Sequence, residues 1–340
     1  KNIYNLISKE FSSKRFSKWS WIELFLDDLD TGLLEKHKEA VKSWWNSEHA
    51  KQKWHGQTYK SDFEFHLHYW VRQEKTLKLL DELNLPKGSK ILELGYGGAE
   101  TAGKILDRGY IYYGVDISEH LYENAKKNYS SYIKKEQAYF YQGSLEEKLN
   151  FEDNYFDIVI ICGAIHYAGK LSNNFLEVKR VLKKEGHYII GQGNMFTLND
   201  LISFRKLLKC LVWYFTNEKY MHSYSLSFRD IIFESKLKKY FLKYKNSRFF
   251  ESNFMNKKSN QWKYKIHKRI FSFSSLKNTI ESNDFRVTKF YGGPFLYASE
   301  NKIIFIKKFF NNVLQFLLDK KIFIFLIKMS DNFVFLSKPK

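Results

Sequence analysis

The chain has two cysteines, Cys162 and Cys210, and three prolines among 340 residues. The cysteines are far apart, with no CxxC spacing and no neighbouring histidine pattern, which excludes a disulfide framework and a zinc finger or ribbon. That usage suits a reducing compartment, so the expected location is cytoplasmic. A membrane span is also missing. The most apolar stretch, residues 303–327, is broken by Lys307, Lys308, Asp319, Lys320 and Lys321, and falls short of the roughly 18 uninterrupted apolar residues a crossing helix needs. No like-charge tail is present either, although 56 Lys+Arg against 37 Asp+Glu leave a formal charge of +19. The positive residues are spread along a sequence rich in Lys, Asn, Ile, Tyr and Phe. Biased base composition accounts for that spread as readily as a nucleic-acid or anionic-surface partner does. His66 and His68 lie two apart without a third ligand in a recognisable pattern, so no metal is expected.

What is present is enough apolar sequence, 44% of residues, to bury a large core without cross-links. Residues 1–85 read as a helical N-terminal cap rich in tryptophan (Trp19, Trp21, Trp44, Trp45, Trp54, Trp70), with a helix over residues 71–83 that stops at Pro86-Lys87-Gly88. From Lys90 short apolar runs alternate with amphipathic segments, the rhythm of βαβ units. Strands are predicted at residues 90–94, 111–116, 137–142, 156–162 and 187–192, and helices at 98–107, 118–128 and 174–182. The rhythm stops after Asn194. Residues 195–270 read as a helical, Lys-, Tyr- and Phe-rich insertion. Residues 271–340 then resume the core with a helix at 274–282, a strand at 285–291, amphipathic helices within 303–327 and a last strand at 333–336. The fold class is therefore α/β: a Rossmann-like doubly wound sheet, with the nucleotide-type site expected in residues 86–194.

The first strand runs into Glu93-Leu94-Gly95-Tyr96-Gly97-Gly98-Ala99-Glu100. Glycines here let a ligand approach the backbone, and the free N–H groups of the following helix favour an anion or dipole. A dinucleotide or S-adenosylmethionine could use such a loop, and the acids decide between them. The dinucleotide fingerprint would need its third glycine where Glu100 stands, beside a doubly charged pyrophosphate, which is repulsive. S-adenosylmethionine has no phosphate, and Glu93 can serve its ammonium end. At the tip of the second strand Asp116, followed by Ile117, is placed to accept from both ribose hydroxyls, and Ser118 can cap the next helix. After the third strand comes Gln142-Gly143-Ser144-Leu145, where a polar side chain can reach the adenine amino group and Leu145 can cover the ring face. The fourth strand ends at Cys162, followed by Gly163-Ala164-Ile165-His166-Tyr167.

Together these stations resemble the class I S-adenosylmethionine-dependent methyltransferases, particularly the small-molecule branch that includes ubiquinone and menaquinone biosynthesis enzymes. The resemblance covers residues 85–195 well and 271–340 loosely. It implies a methyl-transfer enzyme with S-adenosylmethionine held by Glu93, Gly95, Tyr96, Gly97, Asp116, Ile117, Ser144, Leu145 and Cys162, and a final antiparallel strand near the C-terminus. Ala99 stands where many members have glycine, and Ser144 where many have Asp. A sulfonium is already electrophilic, so alignment and exclusion of water matter most. His166 is the candidate base for a hydroxyl acceptor and Tyr167 a candidate orienting residue. Residues 195–270 occupy the position of an acceptor-binding lid, with Tyr224, Arg229, Arg248 and Trp262 as contributors. The expected acceptor is a small molecule, glycan or lipid-linked intermediate, with O-methylation slightly preferred. The competing reading is an RNA-associated methyltransferase or basic scaffold subunit, against which stands the absence of an Asn/Asp-Pro-Pro-Tyr or Ser-Pro-Pro-Tyr motif after the fourth strand. A third attaches residues 303–327 to a membrane surface.

Overall fold

The computed structural model describes residues 31–47, 63–194, 197–198, 250–256, 261–268, 271–293, 304–319 and 324–340. Trp19, Trp21, Trp54, Cys210, Tyr224, Arg229 and Arg248 lie outside these residues.

A seven-stranded sheet organises the chain. Its strands are β1 (Lys90–Leu94), β2 (Ile111–Asp116), β3 (Ala138–Gln142), β4 (Phe156–Cys162), β5 (Leu182–Gly193), β8 (Phe285–Gly293) and β9 (Asn332–Pro339), in the spatial order β3-β2-β1-β4-β5-β9-β8. Parallel pairing joins β1 to β2 and β4, β2 to β3, and β4 to β5, while β9 runs antiparallel to both β5 and β8. One strand of seven is thus reversed, as the resemblance implies. The chain order turns back between β1 and β4, the switch point at which open α/β sheets bind ligands.

Helices cover both faces. On one lie α2 (Phe63–Glu82), α3 (Glu100–Leu106) and α4 (Glu119–Asn128), where Leu79, Leu80, Ala102, Ile105 and Leu121 close over Ile91, Tyr112, Ile158 and Ile160. On the other, α6 (Leu171–Val181) and α7 (Phe273–Ser282) pack Phe175, Val178, Leu276 and Ile280 on Leu92, Val159, Ile161, Phe333 and Phe335. A short helix, α5 (Ser130–Lys134), leads into β3. The alternation along β1 explains this division: period-2 side chains send Ile91 to one layer and Leu92 and Leu94 to the other. Ser118 caps α4 as predicted, its hydroxyl accepting from the Leu121 N–H.

Three segments differ from expectation. α2 begins at Phe63, eight residues before the start predicted at 71. β5 begins at Leu182, five residues before the predicted start, because the polar run Lys183-Lys184-Glu185 conceals the strand. Part of the insertion expected to be helical is a two-stranded antiparallel hairpin, β6 (Phe250–Asn256) with β7 (Gln261–Lys268). The first described helix, α1 (Thr31–Trp45), lies against β7, and β7 also reaches the Ile165–Tyr167 turn. The last helix, α8 (Ile304–Asp319), and a 3-10 turn (Ile324–Met329) connect β8 to β9.

Candidate functional site

The tips of β1, β2, β3, β4 and β5 end level with one another, and their backbone ladder continues into the loops. The Gly95 N–H donates to the Val115 carbonyl at 2.7 Å, Gly143 to Asp116 at 2.9 Å and Gly163 to Gly191 at 2.7 Å. This binds the four candidate stations into one rigid edge.

The loop after β1 requires glycine at Gly95. Its φ is +70°, and an added Cβ would stand 2.4 Å from the Ala164 Cβ, inside any ordinary contact. Gly97 also has a left-handed φ of +56°, but nothing lies within 4 Å of where its Cβ would be. The loop therefore packs on the β4 turn at Gly95 and presents open backbone at Gly97. Ala99 takes the left-handed conformation as well, with φ 58°, at the start of α3.

Asp116 ties this loop to β2. Its Oδ2 accepts from the Gly97 N–H and its Oδ1 from the Ser118 N–H, both at 2.9 Å. Burial pushes the carboxyl up to about 6, although the N–H groups of Ser118, Gly97 and Ile117 favour its charged form. A carboxylate has about four acceptor positions, so with three N–H groups on it capacity remains for one ribose hydroxyl. Glu93 is buried deeper, 3% exposed. Tyr112 donates to it at 2.8 Å and Thr101 donates as well, while burial and the neighbouring charges of Glu100 and Asp116 push it up to about 7. Its carboxylate thus anchors α3 to the sheet and adds negative charge beneath the loop. Glu100, also largely buried, is pushed up to about 7 by burial. Three carboxyl groups held at raised pKa values make the loop a site that a cation would stabilise.

Leu145 is half-buried over this loop, its Cδ2 3.7 Å from the added-Cβ position of Gly95. Asn174 holds the Leu145 carbonyl at 2.9 Å. Ser144 is buried beside it, its hydroxyl accepting from the Glu146 N–H at 3.4 Å. The Ile117 carbonyl accepts from Gln142 at 3.4 Å, fastening the β2 tip to that of β3. Glycine loop, Asp116, Ile117, Ser144 and Leu145 therefore share one edge of the sheet.

Two expected contributors point elsewhere. Tyr96 is 5% exposed and its ring packs edge-on against Phe140 at 5.4 Å, so its side chain belongs to the core and only its backbone stays on the loop. The Cys162 thiol is turned toward α2, 3.6 Å from the Thr76 hydroxyl, and burial pushes its pKa up. Both positions alternate inward for the same reason as the strand residues around them.

Residues that the sequence did not single out complete the edge. Arg72 on α2 is 6% exposed. Its guanidinium occupies the space a Gly163 Cβ would fill, 2.3 Å away, and its methylenes lie over Gly191. Its Nη1 donates to Asn332 at 3.3 Å. A positive charge is thus set between the tips of β4 and β5, separate from the acids of the glycine loop. His166 sits beside it in the Ile165–Tyr167 turn, its Nδ1 3.3 Å from the Gln192 Oε1 and its ring 4.1 Å from that of Tyr167. Burial pushes the Tyr167 phenol upward, which keeps it neutral.

Helix α1 crosses above these tips. His37 Nε2 bonds the Tyr167 carbonyl at 2.7 Å and Lys38 pairs with Glu147 at 2.7 Å. Trp45 meets the Tyr167 ring edge-on at 5.8 Å, and Asn46 accepts from the Ser118 hydroxyl at 2.9 Å. The helix and the residue after it therefore span from the β4 turn to the β2 tip. An open groove lined by Trp70, Glu74, Lys104 and Arg108 lies apart, on the outer side of α2 and α3.

Comparison with known proteins finds similar sequences for the segment that builds this edge. Residues 92–190 match the family model described as "Methyltransferase domain". YqeM, a Bacillus subtilis protein named as a methyltransferase, is 28% identical over 124 residues, 35% of this chain and 49% of that protein. Sterol 24-C-methyltransferase ERG6 of Saccharomyces cerevisiae is 25% identical over 176 residues, 48% of this chain and 43% of that one. The chain thus spans less than half the length of these curated relatives. Among solved structures, the PH0226 protein of Pyrococcus horikoshii is 18% identical, with a TM-score of 0.47 over 80% of this chain and 91% of that one.

Proposed function

We propose that the chain, whose residues 92–190 match the model of a methyltransferase domain, is a class I S-adenosylmethionine-dependent methyltransferase that transfers a methyl group to a small-molecule, glycan or lipid-linked acceptor. The observation that carries the reading is the division of charge along the sheet edge: three carboxyl groups around the glycine loop and one buried guanidinium between the tips of β4 and β5. S-adenosylmethionine brings a sulfonium, an ammonium and a carboxylate, and its charges match that division.

The residues fit the cofactor at each part. Gly97 leaves backbone open to it, Asp116 has acceptor capacity for the ribose, Leu145 offers an apolar cover for the adenine, and Ser144 a polar contact. We assign Arg72 to the methionine carboxylate, opposite the acid cluster that receives the ammonium. When bound, the cofactor supplies an activated methyl on a positive sulfur. The chain's part is to hold the acceptor in line with that methyl and to keep water out. Helix α1 and the β6–β7 hairpin stand over the edge and serve the second task.

For a hydroxyl acceptor, His166 accepts the proton through Nε2, while Gln192 fixes the ring from the Nδ1 side. Tyr167, held neutral, lines the pocket and is positioned through its carbonyl by His37. The branch of the family and the identity of the acceptor rest with residues 195–249 as much as with this edge.

Isothermal titration with S-adenosylmethionine tests the reading. Binding is expected in the intact chain and its loss in Asp116→Ala; absence of binding to the intact chain would sink the proposal. Transfer of tritiated methyl from the cofactor into fractionated lysate then identifies the acceptor class. A labelled product in the RNA fraction would replace the small-molecule reading.

A further inference from the structure

Helix α8 is an insertion between two strands that the sheet alone would join with a short hairpin. β8 ends at Gly293 and β9 starts at Asn332, paired to each other, so residues 294–331 leave and re-enter the sheet at one point. That point lies at the edge that carries the candidate site. β9 runs antiparallel to β5 and to β8, which makes β8 parallel to β5. The C-terminal end of β8 is therefore level with the tips of β1, β4 and β5.

One side of α8 rests on this edge: Gln315 reaches Gly293, its Oε1 2.9 Å from the added-Cβ position. The other side leaves large apolar groups in solvent. Phe309 is 59% exposed, Phe310 50%, Val313 38% and Phe316 59%. At about 100° per residue these four positions fall within a stripe of about 120° on the helix surface. Three phenylalanines with that exposure on one short helix are far from the scattered single apolar residues that soluble surfaces normally carry.

The surrounding sequence is basic. Residues 302–328 contain Lys302, Lys307, Lys308, Lys320, Lys321 and Lys328 against Asp319 alone, within a chain of charge +19. An aromatic stripe on a helix whose sequence is flanked by lysines is the pattern of a helix that lies in a bilayer interface, where rings enter the acyl boundary and cations meet anionic headgroups. The local excess of positive charge complements an anionic surface and opposes a second copy of the same basic segment. No helix among the described residues is long and apolar enough to cross a membrane, so contact would be with the surface.

We infer that α8 is an interfacial helix that seats the cofactor edge of the sheet on an anionic bilayer. The inference deepens the methyltransferase reading, because it points the mouth of the site at the membrane and so favours a lipid or lipid-linked acceptor. The surface binding itself does not depend on that reading.

Flotation of the full chain with vesicles tests it. Vesicles of phosphatidylcholine with about 30% phosphatidylglycerol are expected to carry the chain upward at low salt, and vesicles of phosphatidylcholine alone to leave it behind. The double variant Phe309→Ser/Phe310→Ser should reduce the floated fraction by about tenfold or more, since both rings supply the buried apolar area. S-adenosylhomocysteine binding by that variant should be unchanged, which shows that the fold survives. Should the double variant fail to fold, Val313→Glu gives the same readout from the centre of the stripe. No flotation of the unaltered chain, or flotation that the substitutions leave intact, overturns the inference. Light scattering that finds a dimer in the unaltered chain and a monomer in the variant also overturns it, in favour of a second copy. Vesicle binding without cofactor binding would sink the methyltransferase reading and leave the surface in place.

Discussion

Gly95 and Ala164 offer a direct test of how the glycine loop is held. Substituting Gly95→Ala has two separable effects. The backbone there has φ +70°, a left-handed conformation that costs an ordinary L residue about 1–2 kcal/mol. The new methyl also stands 2.4 Å from the Ala164 Cβ, and reaching an ordinary contact of 3.4 Å requires the loop and the β4 turn to part by about 1 Å. Overpacking of that kind costs about 1–3 kcal/mol. Ala164→Gly alone, at a helical φ of −114° and ψ of −23°, should cost only about 0.5–1 kcal/mol. The double variant Gly95→Ala/Ala164→Gly removes the collision and keeps the strained φ. Its loss should therefore be smaller than the sum of the single losses by about 1–3 kcal/mol. Urea unfolding of the four chains measures the coupling, and titration with S-adenosylhomocysteine measures its functional counterpart: binding weakened by Gly95→Ala and partly restored in the double variant. Strictly additive losses, with no restored binding, would show that the loop does not rest on the β4 turn and would refute the packing on which the site is built.

Other expectations follow from the charges. Glu93 and Glu100 are held near 7 and Asp116 near 6, all above their unfolded values. Raised carboxyl pKa values stabilise the fold below pH about 4 and lose that contribution as pH rises through about 6 to 7. Glu93→Gln, which keeps an acceptor for Tyr112, should therefore flatten the fall of Tm between pH 5 and 8, and an unchanged slope would remove Glu93 from this account. A cationic ligand prefers the ionised acids, so the affinity for S-adenosylmethionine should increase over the same window in titration calorimetry. Asp116→Asn should weaken S-adenosylhomocysteine binding by about 10- to 100-fold, since it replaces charge-assisted hydrogen bonds worth about 1.5–3 kcal/mol; full affinity would show that the ribose lies elsewhere. Arg72→Met should reduce affinity for S-adenosylhomocysteine while leaving that for methylthioadenosine, which lacks the amino-acid end, unaltered. Equal losses for the two ligands would assign Arg72 a packing role only.

The parts of this molecule that could be read from sequence share one physical property: they are local. β1, β2 and β4 have the predicted bounds because each is a short apolar run closed by glycine or an acid. Ser118 caps α4 because capping is decided within four residues. Asp116 is found by its position at a strand tip, since the sheet carries every parallel strand's C-terminal end to the same edge. Direction is harder to read than position. Tyr96 occupies the glycine loop, yet a side chain of that size gains more by filling the space against Phe140 than by standing in solvent. Arg72 illustrates the opposite failure, because nothing about one arginine in an amphipathic helix marks it. Its role depends on two glycines, Gly163 and Gly191, that are 91 and 119 residues away and leave room for its guanidinium.

The same distinction explains why the cofactor is better determined than the acceptor. The proposed cofactor contacts come from successive strand tips of one sheet, each legible from a short local run of sequence. In the proposed reading the acceptor would meet α1, the Ile165–Tyr167 turn, the hairpin and the approach past α8, elements brought together by tertiary packing. His37 reaches Tyr167 across 130 residues, and Lys38 reaches Glu147 across 109. Such contacts follow from how a cap docks on a finished sheet. Acceptor choice therefore changes when the cap, hairpin or α8 changes, while the glycine loop and Asp116 stay as they are. Exchanging these segments between related methyltransferase domains should accordingly alter the acceptor while cofactor affinity is preserved. Loss of cofactor binding on such an exchange would mean that the cap is part of the cofactor site and does more than close it.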